Sequence, residues 1–283
     1  MKSGNAVISK LLVISGAGEY PKFVIEGAKR AGVPRVDVLA VKGSCSRSTA
    51  RLGANAYPFA AGESDLAVEW ASREGYDGAI LAGQINPLSL FSGRFDETVK
   101  RWLREMPVKN AHTIFGKLVS EFEAAGVKML PASLYMDDHI PGVGALTERT
   151  LTDLERDDIR RGMQVAADMG RHDVGQTVLV KSGMVLAVEA FEGTNAAILR
   201  AGRLSKGSVL CKAAREGHDW RFDIPVVGLT TFKKMKKAGV TALAFQAGRL
   251  ILLDRDAVVS FANKHGVAVV GIDSGLPPAP LRP

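Results

Sequence analysis

The sequence contains little cysteine and no long apolar run. Its two cysteines, Cys45 and Cys211, lie far apart, and neither belongs to a CxxC pair or a His/Cys cluster. This pattern argues against a disulfide framework and a zinc site, and we expect both side chains to be reduced, structural thiols. No stretch approaches the roughly 20 apolar residues that span a bilayer, and the run from Leu11 to Ile14 is too short for a secretory signal. The sequence therefore predicts a cytoplasmic protein.

Aromatic residues are also sparse, at 6 %, beside 46 % apolar and 24 % charged residues. These proportions are those of a globular protein and not of a disordered chain. A length of 283 residues favours two domains, since one domain usually has roughly 100 to 200 residues. We place the first domain at 1–135 and the second, catalytic one at 151–275. Between them, 136–150 is predicted to be a glycine-rich linker, and the proline-rich end, 276–283, a flexible tail.

The chain carries an excess of positive charge. Its net charge is +7 and its isoelectric point about 9.4, which favours anionic partners such as phosphates, nucleotides or an acidic membrane surface. Better solubility is an equally simple explanation. The densest basic cluster, Lys233 to Lys237, falls on a predicted helix without an RNA-binding aromatic motif nearby, so no nucleic-acid partner is expected.

The first half alternates short apolar runs with amphipathic stretches. Strand, helix and strand in series favour a parallel sheet with helices packed on its faces, which is a Rossmann-like α/β arrangement. The predicted strands are 10–18, 35–41, 54–59, 77–83 and 127–132, and the predicted helices are 19–32, 64–75, 87–105 and 110–125.

The second half begins with a helix that has a clear start. Thr152 and Glu155 have the spacing of a capping box, and Ser182 with Gly183 separates two apolar runs as a hairpin turn does. The pattern then predicts an α/β domain with mixed strand pairing. Its later strands are predicted near 207–213, 222–227, 241–245, 249–253 and 267–272, and its helices after Thr194, at 230–238 and at 254–265.

A glycine-rich turn, SGAGEYP, follows the first predicted strand and opens a helix. Gly16 and Gly18 fit a dinucleotide-binding loop, but Pro21 replaces the third glycine and no acid follows the second strand, which disfavours an NAD enzyme. An anion site and a tight turn without a ligand both remain possible. A similar loop at Gly83 and Gln84 ends another strand, and the two loops could line one crevice.

Polar residues cluster where a strand gives way to a helix, in VEAFEGTN. Glu189, Glu192, Thr194 and Asn195 could build a binding site there, or could simply cap the helix and complement its dipole. Lys212 ends another apolar strand. It is either an edge residue whose charge reaches solvent or a ligand for an anion.

The stretch HDWRFDIP places acidic and basic groups close together. In an extended segment, Arg221 and Asp223 point to one face, which Asp219 shares if the extension reaches back that far. Two carboxylates suit a divalent cation such as magnesium, and an arginine suits a phosphate. An internal ion pair between Arg221 and Asp223 explains the pattern equally well. His218 lacks a second histidine at ligand spacing and is more simply a surface residue or a residue behind the ligands.

Taken together, the segments resemble the LpxI-type UDP-2,3-diacylglucosamine pyrophosphatases of bacterial lipid A synthesis. The resemblance covers almost the whole chain and is most specific in its C-terminal half. The matching segments are SGAGEYP, DGAILAG, RRGMQVAADMGRHDVGQTVLV, VLAVEAFEGTN, GSVLCK, HDWRFDIPVVG, KAGVTALAFQAGRLILLDRDAV and VAVVGID.

The resemblance implies a cytosolic homodimeric hydrolase, peripheral on the anionic inner leaflet, that cleaves its substrate to UMP and 2,3-diacylglucosamine 1-phosphate (lipid X) with Mg²⁺ or Mn²⁺. The family's essential aspartate lies in an RxDxP motif, which makes Asp223 the leading catalytic and metal residue. Asp219 is the second expected metal ligand, and Arg221 and Lys212 are further catalytic candidates. The expected substrate-binding residues are Gly16, Ala17, Gly18, Gly83, Gln84, Gln176, Glu192, Gly193, Thr194 and Asn195.

Three positions depart from the family pattern. Asn195 stands where family members usually carry aspartate, Gln246 stands where they carry an acid, and His218-Asp219 replaces Gln-Asp. Fewer carboxylates near a cation lower its affinity, so the alternative is a divergent, non-catalytic paralogue that binds nucleotide or lipid.

Overall fold

The computed structural model describes residues 8–85, 95–107, 111–215, 217, 219–222, 224–276 and 279–280. The chain forms two compact units. Unit 1 comprises Met1–Asp137, Asp219–Asp223 and Pro280–Pro283, and unit 2 comprises Asp138–His218 and Ile224–Ala279. The short segment around residue 221 thus belongs to unit 1, although the chain on both sides of it belongs to unit 2.

Unit 1 is built on a four-stranded parallel sheet in the order β3-β2-β1-β4. Nearly every residue of β1 and β4 is buried, as expected of strands covered on both faces. The predicted parallel α/β arrangement is confirmed. The strands are β1 (Lys10–Ser15), β2 (Arg35–Val41), β3 (Ala56–Phe59) and β4 (Gly78–Ala82), and the helices are α1 (Tyr20–Arg30), α2 (Arg47–Ala50), α3 (Ser64–Glu74), α4 (Glu97–Glu105) and α5 (Ala111–Ala124).

The core on one side of this sheet lies between the strands and helices α3 and α5. Leu12, Ile14 and Leu81 pack there against Val119 and Phe122. The predicted strand at 127–132 is wrong in extent, because only one isolated bridge joins Met129 to Ala79. Pro131, two residues after Met129, has no N–H to continue the ladder.

Unit 2 contains a six-stranded mixed sheet in the order β5-β12-β10-β8-β6-β7 and a separate parallel pair, β9 and β11. Strands β8, β10 and β12 run parallel, whereas β5 and β6 pair antiparallel with their neighbours. The elements are β5 (Gly144–Ala145), α6 (Asp153–Arg171), β6 (Thr177–Lys181), β7 (Met184–Val188), α7 (Thr194–Leu204), β8 (Val209–Lys212), β9 (Val226–Val227), α8 (Leu229–Ala238), β10 (Ala242–Gln246), β11 (Ile251–Leu252), α9 (Arg255–Lys264) and β12 (Ala268–Ile272).

Two predicted local motifs of unit 2 are confirmed. Thr152 and Glu155 form the reciprocal capping box at the start of α6. Ser182 and Gly183 both have positive φ, at 49° and 77°, as the tight turn between β6 and β7 requires.

The sheet of unit 2 has a core on each face. Along β10, Leu243 and Phe245 pack toward α7, α8 and α9, whereas Ala242 and Ala244 face the side of α6. Helix α6 lies close to the sheet at Gly162, where a Cβ would be only 2.4 Å from the sulfur of Cys211. The absence of a side chain at Gly162 permits this approach. Burial raises the pKa of that thiol, which fits a structural cysteine. Within the described ranges, no helix is long and apolar enough to cross a membrane.

Candidate active site

One edge of the unit 2 sheet collects the polar residues that follow its strands. Thr177, the first residue of β6, pairs with Lys212, the last residue of β8. Glu189 directly follows β7, and its N–H donates to the carbonyl of Thr177 at 2.8 Å. Helix α7 begins at Thr194, so the strand ends and this helix start deliver their side chains to one place.

Lys212 is the centre of this cluster. Its side chain is 4 % exposed, and its Nζ donates to the hydroxyls of Thr177 and Thr194, each at 3.0 Å. Glu189 Oε2 lies 3.7 Å from Nζ, and Glu189 Oε1 accepts from the Thr194 hydroxyl at 2.8 Å. Lys212 is thus a buried, partnered cation and not an edge residue whose charge reaches solvent.

The charge of Lys212 governs the neighbouring carboxylate. Burial alone would raise the pKa of Glu189, but the Lys212 charge and the threonine hydroxyls outweigh burial and lower that pKa below its ordinary value. Two buried acceptors here, Glu189 Oε2 and Asn195 Oδ1, have no hydrogen-bond partner within the part of the chain that the structure describes. Buried acceptors of this kind are normally satisfied, so the cluster offers binding capacity to a ligand or water.

The start of α7 adds donors to the cluster. Gly193 precedes the helix with φ of 79°, a backbone conformation that favours glycine. The first N–H groups of an α-helix have no intrahelical acceptor and carry partial positive charge. With Lys212 beside it, this helix start is chemically suited to an anion such as a phosphate.

Two other predicted substrate-binding residues have structural partners. Glu192 Oε1 accepts from Arg200 at 2.5 Å, and this hydrogen bond lowers the pKa of Glu192. The main-chain carbonyl of Gln176 accepts from the N–H of Ala213 at 2.9 Å. Glu192 therefore pairs with Arg200 of α7. Gln176 directly precedes Thr177, which contacts Lys212.

The segment 219–222 lies in unit 1, where it is attached to helix α5 and the chain after it. The carbonyl of Trp220 accepts from the N–H of Ala132 at 2.7 Å. Arg221 Nη1 donates to Glu123 Oε1 at 2.7 Å, and the Phe222 ring lies 5.2 Å from that of His112. Asp223 and His218 lie outside the described residues.

Arg221 is engaged by two carboxylates. Its Nε and Nη2 donate to Asp219 at 2.9 Å and 2.6 Å, and its Nη1 bonds Glu123. These bonds to Asp219 and Glu123 raise the pKa of Arg221, while Asp219, whose pKa burial alone would raise, ends below its ordinary value because of Arg221. The arginine thus fastens the segment to α5, and its partners among the described residues include Asp219 and Glu123.

The described residues do not by themselves fit a divalent cation. Both oxygens of Asp219 accept hydrogen bonds from Arg221. Across the described ranges, no group of three or more His, Cys, Asp or Glu side chains is arranged to hold a metal ion. The predicted role of Asp219 as a metal ligand stays a prediction that depends on Asp223.

The two glycine loops of unit 1 lie side by side, as predicted. Ala17 and Gln84 form an antiparallel bridge with N···O distances of 2.7 Å and 2.9 Å, and the N–H of Gly16 donates to Ala82 at 2.8 Å. A Cβ at Gly16 would lie 2.5 Å from the carbonyl oxygen of Gln84, and one at Gly83 2.6 Å from that of Ala17. The geometry favours the tight-turn interpretation, in which these glycines, with Gly18 at φ 92°, let the loops approach.

Sequence reasoning missed two residues, Thr177 and Glu123, that the structure places in these clusters. Thr177 and Glu123 stand in unremarkable strand and helix sequences, and only the fold brings them to Lys212 and Arg221. Gln246 Oε1 accepts from the N–H of Ala214 at 2.9 Å, so the amide at this unusual position has a structural partner.

Two biotin carboxylases of known structure show remote likeness to this chain. The biotin carboxylase subunit of a pyruvate carboxylase is 15 % identical and has a TM-score of 0.27, with 66 % of this chain and 39 % of that one covered. The biotin carboxylase domain of the Hydrogenobacter thermophilus 2-oxoglutarate carboxylase is 14 % identical, with a TM-score of 0.26, over 70 % of this chain and 42 % of that one. This chain spans less than half the length of either protein.

Sequence comparisons match this chain to one protein family along nearly its whole length. The UDP-2,3-diacylglucosamine pyrophosphatase LpxI of Caulobacter vibrioides is 29 % identical over 286 residues, which cover 93 % of this chain and 98 % of that protein. The family model of the LpxI N-terminal domain matches residues 10–139, and that of the LpxI C-terminal domain matches residues 142–270. These matches confirm the resemblance seen in the sequence motifs, and the chain belongs to the LpxI family.

Proposed function

We propose that the protein hydrolyses the pyrophosphate of UDP-2,3-diacylglucosamine in lipid A synthesis, releasing UMP and 2,3-diacylglucosamine 1-phosphate. The observation that carries the proposal is the near full-length match to a relative named for this pyrophosphatase activity. Membership of the LpxI family supports it over both halves of the chain.

The Lys212 cluster supports the proposal chemically. A buried ammonium group beside the start of α7 can stabilise a phosphate and the negative charge that develops as a phosphate oxygen leaves. Glu189 and the two threonines hold the ammonium group in place, so it needs little reorganisation when the anion binds. We propose Lys212, Gly193, Thr194 and Asn195 as the phosphate-binding part of the active site.

We propose Asp223 as the essential aspartate, on the strength of the RxDxP motif that the resemblance identifies. A divalent cation, Mg²⁺ or Mn²⁺, would neutralise charge on the pyrophosphate when bound. The described residues do not complete a ligand set, so Asp223 is the one ligand that we propose for the cation. Removal of the metal tests the need for the cation separately from the role of Asp223.

The decisive experiment measures UMP release from UDP-2,3-diacylglucosamine by the purified chain with Mg²⁺ or Mn²⁺. The wild type is expected to release UMP, the chelator EDTA to stop release, and Asp223→Asn to lose at least 100-fold in rate, as removal of an essential catalytic group commonly does (about 10² or more). Asp256→Asn, on α9, is the matched control. An inert wild-type protein with every divalent metal would reject the proposal.

The second candidate is a non-catalytic relative that binds nucleotide or lipid product. Asn195 and Gln246 motivate it, because both are neutral where family members usually carry acids. Calorimetry with UMP and with the acylated sugar phosphate distinguishes the two, since this candidate requires tight binding without turnover. The hydrogen bond that Gln246 Oε1 accepts from the N–H of Ala214 favours the enzyme, because it gives the residue a structural role independent of catalysis.

We also propose that the protein is a cytoplasmic homodimer that visits the anionic inner leaflet. Its net charge of +7 supports attraction to anionic lipids. Sedimentation with vesicles containing 30 % anionic lipid, compared with neutral vesicles, tests the membrane part, and light scattering tests the dimer.

A further inference from the structure

Three helices of unit 2 end close together and carry basic side chains there. Helices α7, α8 and α9 pack in one core and lead into the parallel strands β8, β10 and β12, so their C-terminal ends lie at the same end of the sheet. We name this surface the basic end. Its exposed cations are Arg203, Lys206, Lys236, Lys237 and Lys264.

The basic end is continuous across the three helices. Lys206, just after α7, donates from Nζ to the carbonyl of Lys237 on α8 at 3.2 Å. On the other side of α8, desolvation lowers the pKa of His265, and the charges of Lys236 and Lys264 lower it further. The cations of α7, α8 and α9 therefore act on one patch of surface.

Acidic side chains do not balance this charge. Residues 194–208 and 229–241 contain no Asp or Glu. Two acids that border the basic end are already engaged, since Glu155 is held by Arg149 and Glu148 accepts a hydrogen bond from α9. Within the described ranges, no salt bridge joins an acid to any of the five cations.

Helix α6, on the other face of the same sheet, has a different arrangement of charge. Exposed arginines there pair with acids three residues away, as Arg156 does with Asp153 and Arg160 with Asp157. Basic residues at the end of a helix also complement its dipole. That effect explains a cation in each last turn, but it does not explain why the basic end lacks acids.

An exposed leucine lies among these cations. Leu204, the last residue of α7, directly follows Arg203 and is 65 % exposed. Cations around an apolar side chain suit an anionic bilayer, where the charges meet headgroups and the apolar group enters between them. Four of the five cations are lysine, which is depleted in protein interfaces. Residues 203–208 and 236–241 contain no aromatic side chain that could stack on a nucleic-acid base.

We propose that the basic end is the surface by which the protein docks on a bilayer of anionic phospholipids, with Leu204 entering between the headgroups. The inference rests on the proposed function for its purpose, because it names the surface used in the proposed membrane visit. It also orients unit 2. Strand β8 leads from the basic end at Val209 to Lys212, three residue steps or about 10 Å away, so a lipid headgroup leaves the bilayer plane to reach the Lys212 cluster.

The first test measures binding to vesicles of phosphatidylcholine with about 30 % phosphatidylglycerol. Lys236→Gln combined with Lys237→Gln is expected to weaken binding about 25-fold, since each lysine near an anionic surface contributes about fivefold. Arg160→Gln combined with Arg161→Gln is the matched control, because it removes the same charge from adjacent exposed positions on α6. The control should bind within about threefold of wild type.

The second test concerns the apolar contact. Leu204→Ser is expected to weaken vesicle binding about fivefold, as an apolar side chain loses its place in the interface. Leu154→Ser is the matched control, since Leu154 is 70 % exposed on α6. Equal binding by both serine variants would contradict the insertion of Leu204.

Activity separates this inference from the proposed function. Substrate dispersed in detergent micelles should give UMP at the wild-type rate in the Lys236→Gln, Lys237→Gln variant, whereas substrate in anionic vesicles should give it more slowly. A wild-type protein that binds vesicles through the basic end but releases no UMP from either form keeps the surface and rejects the proposed function.

Three outcomes would overturn the docking surface. They are a wild type that does not bind anionic vesicles, a lysine double variant that binds them as wild type does, and a loss of duplex DNA binding in that variant while vesicle binding is unchanged. Circular dichroism checks the fold of each variant. Arg203→Gln combined with Lys264→Gln removes the same charge from α7 and α9, and it should weaken vesicle binding to a similar extent if the α8 variant fails to fold.

Discussion

Arg221 and Glu123, 98 residues apart in sequence, form an ion pair with an N···O distance of 2.7 Å. The pair joins the segment before Asp223 to the C-terminal end of α5. Because Arg221 also bonds Asp219 through Nε and Nη2, the guanidinium group connects two acidic residues and limits the orientations that the segment can adopt.

Breaking this pair is expected to misplace residues 219–222 and lower catalytic activity, while the fold stays intact. The pair is partly exposed, so its loss costs little stability, about 1 kcal/mol or less. In Glu123→Ala we expect kcat to fall about tenfold with little change in KM, since a small misplacement of catalytic groups is costly. Steady-state kinetics of UMP release would measure this. Glu123→Ala should add little in an Arg221→Ala background, because the Arg221–Glu123 pair is already broken there.

Glu121→Ala provides the matched control on the same helix, because Glu121 pairs with Lys117 and not with residues 219–222. Equal losses in Glu121→Ala and Glu123→Ala would contradict a positioning role for the Arg221–Glu123 pair.

Catalytic activity is expected to depend on both the charge and the shape of the Lys212 side chain. Lys212→Met removes the cation, and we expect kcat/KM to fall at least 100-fold, because a buried charge on a phosphate contributes about 3 kcal/mol or more to transition-state stabilisation. Lys212→Arg keeps the charge, but the larger planar group does not match the two threonine acceptors, so recovery should be partial. Lys181→Met is the control, since Lys181 bonds Ser205 at the other end of β6. Full activity in Lys212→Met would contradict the phosphate-binding role.

Glu189 makes stability depend on pH in a defined direction. Its pKa is lowered in the folded protein, so its contribution to the free energy of unfolding is fully present above the ordinary glutamate pKa of about 4.5. That contribution is lost as pH falls through the lowered value. We expect Glu189→Gln to lower the free energy of unfolding at pH 7 by about 3 kcal/mol, because Lys212 loses its buried counter-charge.

Urea denaturation at pH 7 and at pH 3 would measure the difference between wild type and Glu189→Gln, which should shrink at the lower pH. Glu192→Gln is the control, because Glu192 pairs with Arg200 nearer the surface. A difference between wild type and Glu189→Gln that is the same at both pH values would contradict the ionised, buried state of Glu189.

Much of the fold follows from local sequence patterns. Strands β1, β2 and β4 are short apolar runs between amphipathic helices, and their parallel pairing follows from that alternation. The capping box at Thr152 and the turn at Ser182 are motifs whose residues are neighbours in sequence. In these cases the signal and the structure depend on the same few residues.

The sequence did not reveal contacts that depend on tertiary placement. Thr177 meets Lys212 through the register of β6 with β8, and no local feature distinguishes it from other strand threonines. The short strand β5 has no hydrophobic periodicity and exists because it pairs with β12. Arg221 was expected to face a phosphate or Asp223, and that expectation stays a prediction because Asp223 lies outside the described residues. The bond from Arg221 to Glu123 is one that only the packing of α5 could show.

The paired glycine loops of unit 1 give a last prediction, which separates backbone packing from ligand binding. A Cβ at Gly83 meets both a positive φ of 88° and the carbonyl oxygen of Ala17 at 2.6 Å, whereas a Cβ at Gly18 meets a positive φ of 92° but open space. Gly18→Ala should therefore cost only the conformational term, about 1 kcal/mol, and Gly83→Ala about 3 kcal/mol or more. Urea midpoints of the two variants measure this order. If the loops instead bind a phosphate of the substrate, Gly18→Ala would raise KM by far more than its small loss of stability explains, which would contradict a role in packing alone.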